Sequence, residues 1–233
     1  MGRMLDLIAA DGFRPSAYRA DPATTPKGAV VVLQEIFGVN GHIRAVCDRL
    51  AGEGYVAVAP ALFDRQVRGF ESGYSEAEVA EARKFLGTID WDAMLADTEA
   101  ARVEAAGVKV AGTESAEKGL PAAVMGFCLG GSIAFLAATR QDGFAASICY
   151  YGGRIAGFAD EVPRCPTQMH FGATDHSIPM ADVETVQAKR PDCDIHVYDA
   201  GHGFNCDERG SYDAGSAALA WQRSMAWLDE HLR

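Results

Sequence analysis

Cys128 stands in the hexapeptide Gly126-Phe127-Cys128-Leu129-Gly130-Gly131, and this spacing offers nucleophilic thiol chemistry. The apolar run Ala122-Ala123-Val124-Met125 precedes it and reads as a buried strand. Ser132-Ile133-Ala134-Phe135-Leu136-Ala137-Ala138 follows and reads as a helix. In a strand, Gly-x-nucleophile-x-Gly, helix arrangement the nucleophile occupies a strained turn. Small neighbours let strand and helix pass close to it. The turn also sets the thiol at a helix N-terminus, where partial positive charge favours the attacking thiolate. The same letters fit a glycine-rich turn around an inert, buried cysteine, so the partners of Cys128 decide.

A thiol nucleophile needs a base, and the base needs an orienting group. Downstream, Gln168-Met169-His170-Phe171 reads as a strand and ends in Gly172-Ala173-Thr174-Asp175-His176. Asp175 therefore falls just past a strand's C-terminal end, where ligands gather in parallel sheets; its bland alternative is a loop cap. The run Ile195-His196-Val197-Tyr198 leads into Ala200-Gly201-His202-Gly203-Phe204, which puts His202 between glycines in a loop. His42 precedes the hexapeptide, His170 and His196 lie within strands, and His231 belongs to the C-terminal helix. His176 is the rival base, but it adjoins Asp175 and would need another orienter. Upstream, Glu35 closes the buried run Val30-Val31-Val32-Leu33-Gln34. A carboxylate there is costly unless paired or functional, although composition alone fits a surface-loop glutamate.

The elements that must position these groups are short apolar runs alternating with amphipathic segments. Residues 29–33, 55–59, 122–125, 145–150, 167–171 and 194–198 read as strands, several apolar without alternation, as in strands covered on both faces. Asn40 caps a helix with Ile43, Val46, Cys47 and Leu50 on one face and Gly54 as its stop. Ala218, Trp221, Met225, Leu228 and Leu232 mark an amphipathic C-terminal helix. Residues 5–20 predict a hairpin around Asp11-Gly12, and residues 64–75 a long surface loop leading into a helix over the site. The pattern predicts an α/β fold, a mostly parallel sheet with helices on both faces, in one domain over 1–233.

At 233 residues and 48% hydrophobic content the chain can bury one sizeable core. A net charge of −11 argues against a nucleic-acid partner. No run reaches the roughly 18 apolar residues of a membrane span, and the N-terminus carries no long apolar signal segment. The six cysteines form no CxxC pair and no metal-like spacing with histidine, so no metal or cofactor is expected, and the chain reads as reduced and cytoplasmic.

The chain resembles the dienelactone hydrolases (carboxymethylenebutenolidases). Gln34-Glu35-Ile36-Phe37-Gly38-Val39-Asn40, the Cys128 hexapeptide, Tyr150-Tyr151-Gly152, Gly172-Ala173-Thr174-Asp175-His176 and Gly201-His202-Gly203-Phe204 follow in the family's order. The resemblance implies a single-domain α/β-hydrolase fold and a triad of Cys128, His202 and Asp175. It also implies hydrolysis of a small ester or lactone through a thioacyl-enzyme. Glu35 would contact the thiol and help to ionise it. The backbone N–H groups of Leu129 and Ile36 would hold the oxyanion. Phe37, Tyr151, Phe204, Cys206, Arg83 and Arg209 become candidates for substrate contact.

The resemblance fails at the family's two anion-binding arginines. Cys206 occupies the position beyond the histidine, and Val79 falls at the other. Neither can bind a carboxylate bidentately, so neutral substrates are expected to do as well as anionic ones. Glu35 is also expected to lack a cationic neighbour, unless Arg83 or Arg209 reaches the pocket. The alternatives are a general carboxylesterase or thioesterase, and a redox-sensing thiol protein. The sensor would need neither Asp175 nor His202.

Overall fold

The architecture is that of a computed structural model, which describes residues 2–107 and 119–232. One eight-stranded sheet runs through it in the order β1-β2-β4-β3-β5-β6-β7-β8. The strands are β1 (Arg3–Asp6), β2 (Ser16–Ala20), β3 (Gly28–Leu33), β4 (Tyr55–Pro60), β5 (Ala122–Phe127), β6 (Phe144–Tyr150), β7 (Thr167–Gly172) and β8 (Asp194–Tyr198). The expected N-terminal hairpin forms from β1 and β2, with Gly12 at φ 84° and the Asp11 carboxylate accepting the Phe13 N–H. It joins the sheet antiparallel through β2 and β4, and every later pairing is parallel. β3, β4, β5 and β7 are buried at every position. This is why their sequences run apolar without alternation: both faces of the sheet are covered.

The covering helices fall into two groups. α1 (Gly41–Gly52) and α7 (Ala214–His231) meet where the Arg49 guanidinium lies 3.8 Å from the Trp221 ring centroid. α3 (Trp91–Ala106) and α4 (Leu129–Arg140) pack together on the opposite face, with the short α5 (Ile155–Phe158) and α6 (Met180–Lys189) beside them. Asn40 caps α1 as its sequence predicts, its side chain accepting the Ile43 N–H.

The segment after β4 carries the roof. Buried Asp64 accepts the Ser16 and Gly69 N–H groups at 2.8 and 2.7 Å, pinning the long loop to β2. The loop leads into α2 (Glu76–Arg83), which Ser75 and Glu78 start with a reciprocal capping box. A 3-10 turn over Lys84–Thr88 follows.

The crossing of β5 and α4 over the end of β3 is the tightest part of the fold. A Cβ on Gly130 would sit 2.3 Å from the Leu33 carbonyl oxygen, and one on Gly126 would sit 1.9 Å from the Gly130 oxygen. Both obstacles are backbone and cannot swing aside. Gly130→Ala is therefore expected to destabilise the protein by about 1–3 kcal/mol and to cut hydrolytic turnover more than its stability loss explains. Chemical denaturation alongside kinetics checks this, and wild-type behaviour on both counts would contradict the close passage.

Candidate active site

Cys128 lies between β5 and α4 with φ 54° and ψ −111°, a conformation that non-glycine residues avoid. Such strain costs about 1–3 kcal/mol and persists only where surroundings impose it. Here the Cys128 N–H donates to the Tyr150 carbonyl at 3.0 Å, and the Gly130 N–H donates to the Gln34 carbonyl at 3.0 Å. These bonds lock the turn to β6 and to the end of β3. The turn holds the half-buried thiol out at the wall of a cavity of about 500 Å³.

The loop after β8 brings His202 to Cys128, with Nε2 3.1 Å from Sγ. The loop after β7 brings Asp175 to the other side of the ring, with Oδ2 2.7 Å from Nδ1. The second Asp175 oxygen accepts the Ser177 and Ile178 N–H groups at 2.7 and 3.1 Å, fixing the carboxylate's direction. Ser211 Oγ donates to the His202 carbonyl and ties down the histidine loop. Burial by itself would lower the His202 pKa. Its neighbours Cys128 and Asp175 outweigh that and hold the imidazolium above its ordinary range. His176 takes no part in this arrangement, and Ser177, two residues past Asp175, lines the cavity instead.

The side chain of His170 is fully buried behind these groups. It contacts Tyr198 Oη at 2.8 Å through Nδ1 and Gln168 Oε1 at 3.0 Å through Nε2. Burial, helped by the charges of His196 and Arg223, drives its pKa well below the ordinary value. This is the structural role that its place within a strand suggests.

Glu35 is 1% exposed, at the end of β3. Its Oε1 accepts from Arg209 Nη1 at 2.9 Å, while Oε2 is buried without a hydrogen-bond partner among the described residues. The expectation that Glu35 lacks a cationic neighbour is thus overturned. Arg209 sits in the turns after His202 and folds back over Gly203, where a Cβ would meet Nη1 at 2.4 Å. Its guanidinium lies 5.6 Å from the Phe37 ring centroid and 5.9 Å from that of Tyr74. Cys206 is a buried neighbour of this pair, its thiol pushed up to about 12 by burial and by the Glu35 charge.

Among the candidates for substrate contact, Phe37, Arg83 and Arg209 line the cavity. Tyr151, Phe204 and Cys206 do not, because all three are buried beneath it. Tyr151 backs the His202 ring at 5.1 Å between centroids, and Phe204 packs edge-on against Tyr151. Val79 and Arg83 both face the cavity from α2, one helical turn apart. Ile36 and Leu129 line it too, and their backbone N–H groups have no protein acceptor among the described residues.

Sequence reasoning missed Leu86, Ser132, Asp182 and above all Arg154 in the cavity wall. The available signal for Arg154 was its place just after Tyr150-Tyr151-Gly152, past the C-terminal end of β6. Like Arg83, it is exposed and has no ion-pair or hydrogen-bond partner for its guanidinium among the described residues. With three arginines on the wall, the ground for expecting neutral substrates to match anionic ones is removed.

Residues 16–232 match the sequence profile of the Dienelactone hydrolase family. The chain belongs to that family. The carboxymethylenebutenolidase of Pseudomonas putida is 32% identical over 232 residues, spanning 96% of this chain and 94% of that protein. A Synechocystis protein provisionally given the same name is 36% identical, over 94% of this chain and 92% of its own length. A crystal structure from Klebsiella pneumoniae, provisionally titled a dienelactone hydrolase, superposes with a TM-score of 0.81 at 31% identity. It covers 97% of this chain and 98% of that one. Membership in the dienelactone hydrolase family makes this chain a hydrolase with the α/β-hydrolase fold.

His202 and His170 should titrate in opposite directions from the ordinary value of about 6.5. His202 is expected to stay protonated above it, and His170 to stay neutral below it. By linkage, His202 adds stability that is complete below about pH 6.5 and fades as pH rises through its folded value. His170 adds stability that is present above about pH 6.5 and is lost as pH falls through its folded value. Imidazole ¹⁵N NMR across pH 5 to 9 (roughly the range that brackets an unshifted histidine) reads both. A His202 midpoint at or below the ordinary value would contradict the pairing with Cys128 and Asp175.

Proposed function

We propose that this protein hydrolyses small carboxylic esters or lactones by thiol catalysis, with Cys128 as nucleophile, His202 as base and Asp175 as its orienter. The observation that carries the reading is the unbroken contact from Asp175 Oδ2 through the His202 ring to Cys128 Sγ, 2.7 Å and then 3.1 Å. His202 takes the thiol proton, and the thiolate attacks the substrate carbonyl carbon. Negative charge then develops on the carbonyl oxygen, within reach of the free N–H groups of Ile36 and Leu129. Collapse of the tetrahedral species breaks the C–O bond, and His202 returns its proton to the leaving oxygen. Water, deprotonated by His202, attacks the thioester carbonyl in the second half. The carboxylic acid leaves, and Cys128 recovers its proton.

Glu35 and Arg209 act on this centre as a pair, the carboxylate buried and the guanidinium half-buried. Removing one partner would strand the other charge, at a cost of about 3–5 kcal/mol. The pair fixes a guanidinium at the wall of the cavity that holds the thiol, with the carboxylate buried behind it. Arg83 and Arg154 offer guanidinium groups with no partner among the described residues at the cavity wall, which favours a carboxylate-bearing substrate over its neutral ester. The whole chain, 1–233, works as one domain. All six cysteines are unpaired, which supports a reducing, cytoplasmic setting.

Cys128→Ala is expected to lower turnover of a chromogenic acetate ester by on the order of a thousandfold or more. Mass spectrometry of quenched wild-type turnover should find the acyl mass on the Cys128 peptide. Near-wild-type turnover by the variant would sink the assignment.

Charge recognition has a separate test, a carboxylate-bearing lactone against its methyl ester. Arg83→Ala should lower kcat/KM for the free acid by roughly threefold to tenfold, a modest loss because the arginine is exposed. The methyl ester should change little, and the difference should shrink in high salt. Equal losses for both substrates would remove Arg83 from anion recognition.

A further inference from the structure

A second cavity of about 350 Å³ adjoins the Cys128 cavity. The two share Leu86 and Arg154 in their walls, so they lie side by side with these side chains at the junction. Leu86, Ile89, Trp91 and Phe158 supply apolar surface, with the Trp91 and Phe158 rings edge to face at 5.5 Å. All four are only partly buried. They come from the 3-10 turn, the start of α3 and the end of α5, so chain segments distant in sequence converge to build the trough. Gly87 and Gly157 complete it, and a Cβ on either would meet no atom within 4 Å. A side chain added at either of these lining positions would meet open space rather than protein.

We propose that this trough is a substrate subsite that receives an apolar arm, aryl or medium-length alkyl, of the ester whose carbonyl lies at Cys128. The inference rests on the thiol-hydrolase reading above and extends it to a substrate class. Adjacency to the reaction cavity argues for the substrate itself as occupant. An arm that leaves the carbonyl past Arg154 enters the trough directly. A guanidinium with no partner among the described residues at the junction, and apolar walls beyond it, match an acid group near the reacting centre with a hydrocarbon portion further out. Complete burial of a methylene is worth roughly fourfold in affinity. The trough is open, so a four-methylene extension should gain on the order of tenfold rather than the full product.

Two ester series test this, one lengthened on the acyl side with the alcohol fixed and one lengthened on the alcohol side with the acyl group fixed. In the wild type, kcat/KM should rise about tenfold from a two-carbon to a six-carbon arm in at least one series. Gly157→Leu should flatten that rise while leaving the shortest ester within about threefold of wild type. Gly87→Leu enters the trough from another element and should do the same, so a folding defect in one variant does not decide the matter. The responding series tells which side of the ester points into the trough. A flat chain-length profile in the wild type, or one that both leucine variants leave intact, would overturn the subsite while the hydrolase reading stands. Failure of the wild type to turn over even the shortest ester in a Cys128-dependent way would overturn that reading and the subsite with it.

Discussion

The structure turns on a single backbone constraint, the positive φ at Cys128. Holding a non-glycine residue there requires the flanking chain to come closer to its neighbours than side chains allow. Gly126 and Gly130 are the result, each with backbone where a Cβ would be. That approach lets the Gly130 N–H bond to the Gln34 carbonyl. The bond fixes the end of β3 against the start of α4, so the chain entering Glu35 and Ile36 is held to the turn that carries the thiol by the same contact that strains it. The N-terminus of α4 then faces the cavity, and the Leu129 N–H is left free because a helix's first donors have no partner within it.

Much of this was legible in the sequence because it is local. Gly-Phe-Cys-Leu-Gly-Gly between an apolar run and a helix states the turn outright. Asp175 and His202 were legible because each follows an apolar strand and sits in a small-residue loop. The central strands declared themselves through unbroken apolar runs, since burial on both faces leaves no polar alternation to confuse with a helix. What lay hidden depends on how far a side chain reaches. Arg209 was ambiguous because its contact with Glu35 needs a turn at Gly203 and a long guanidinium doubling back. The family resemblance had suggested Tyr151 and Phe204 as substrate contacts, yet both rings are buried in the core, Tyr151 against the His202 ring and Phe204 against Tyr151. Arg154 gave only a weak sign, an arginine just after a strand end.

The pair formed by Glu35 and Arg209 shows how a charge can be kept while its position in the chain changes. Cys206 stands where the family resemblance led one to expect an arginine, and it is fully buried. A cation three residues further on serves the buried carboxylate instead. This matters energetically because an unpaired carboxylate at the end of a buried strand would cost several kcal/mol. The aromatic rings of Phe37 and Tyr74 flank the guanidinium and limit its freedom. The position of the charge in space is what the site requires, and more than one residue number can satisfy it.

The order in which the site's parts occur along the chain has a consequence for synthesis. Glu35 and Ile36 leave the ribosome first, Cys128 follows, and Asp175 and His202 come much later, on the loops after β7 and β8. A nascent chain that has produced β5 and α4 carries the thiol without its base. Without an imidazole beside it the thiol has no base to take its proton. The two groups meet only when β8 has joined the edge of the sheet and the His202 loop has closed over the turn. Completion of the sheet and the meeting of thiol and imidazole are thus one event, so half-made copies of the protein carry Cys128 without His202 beside it.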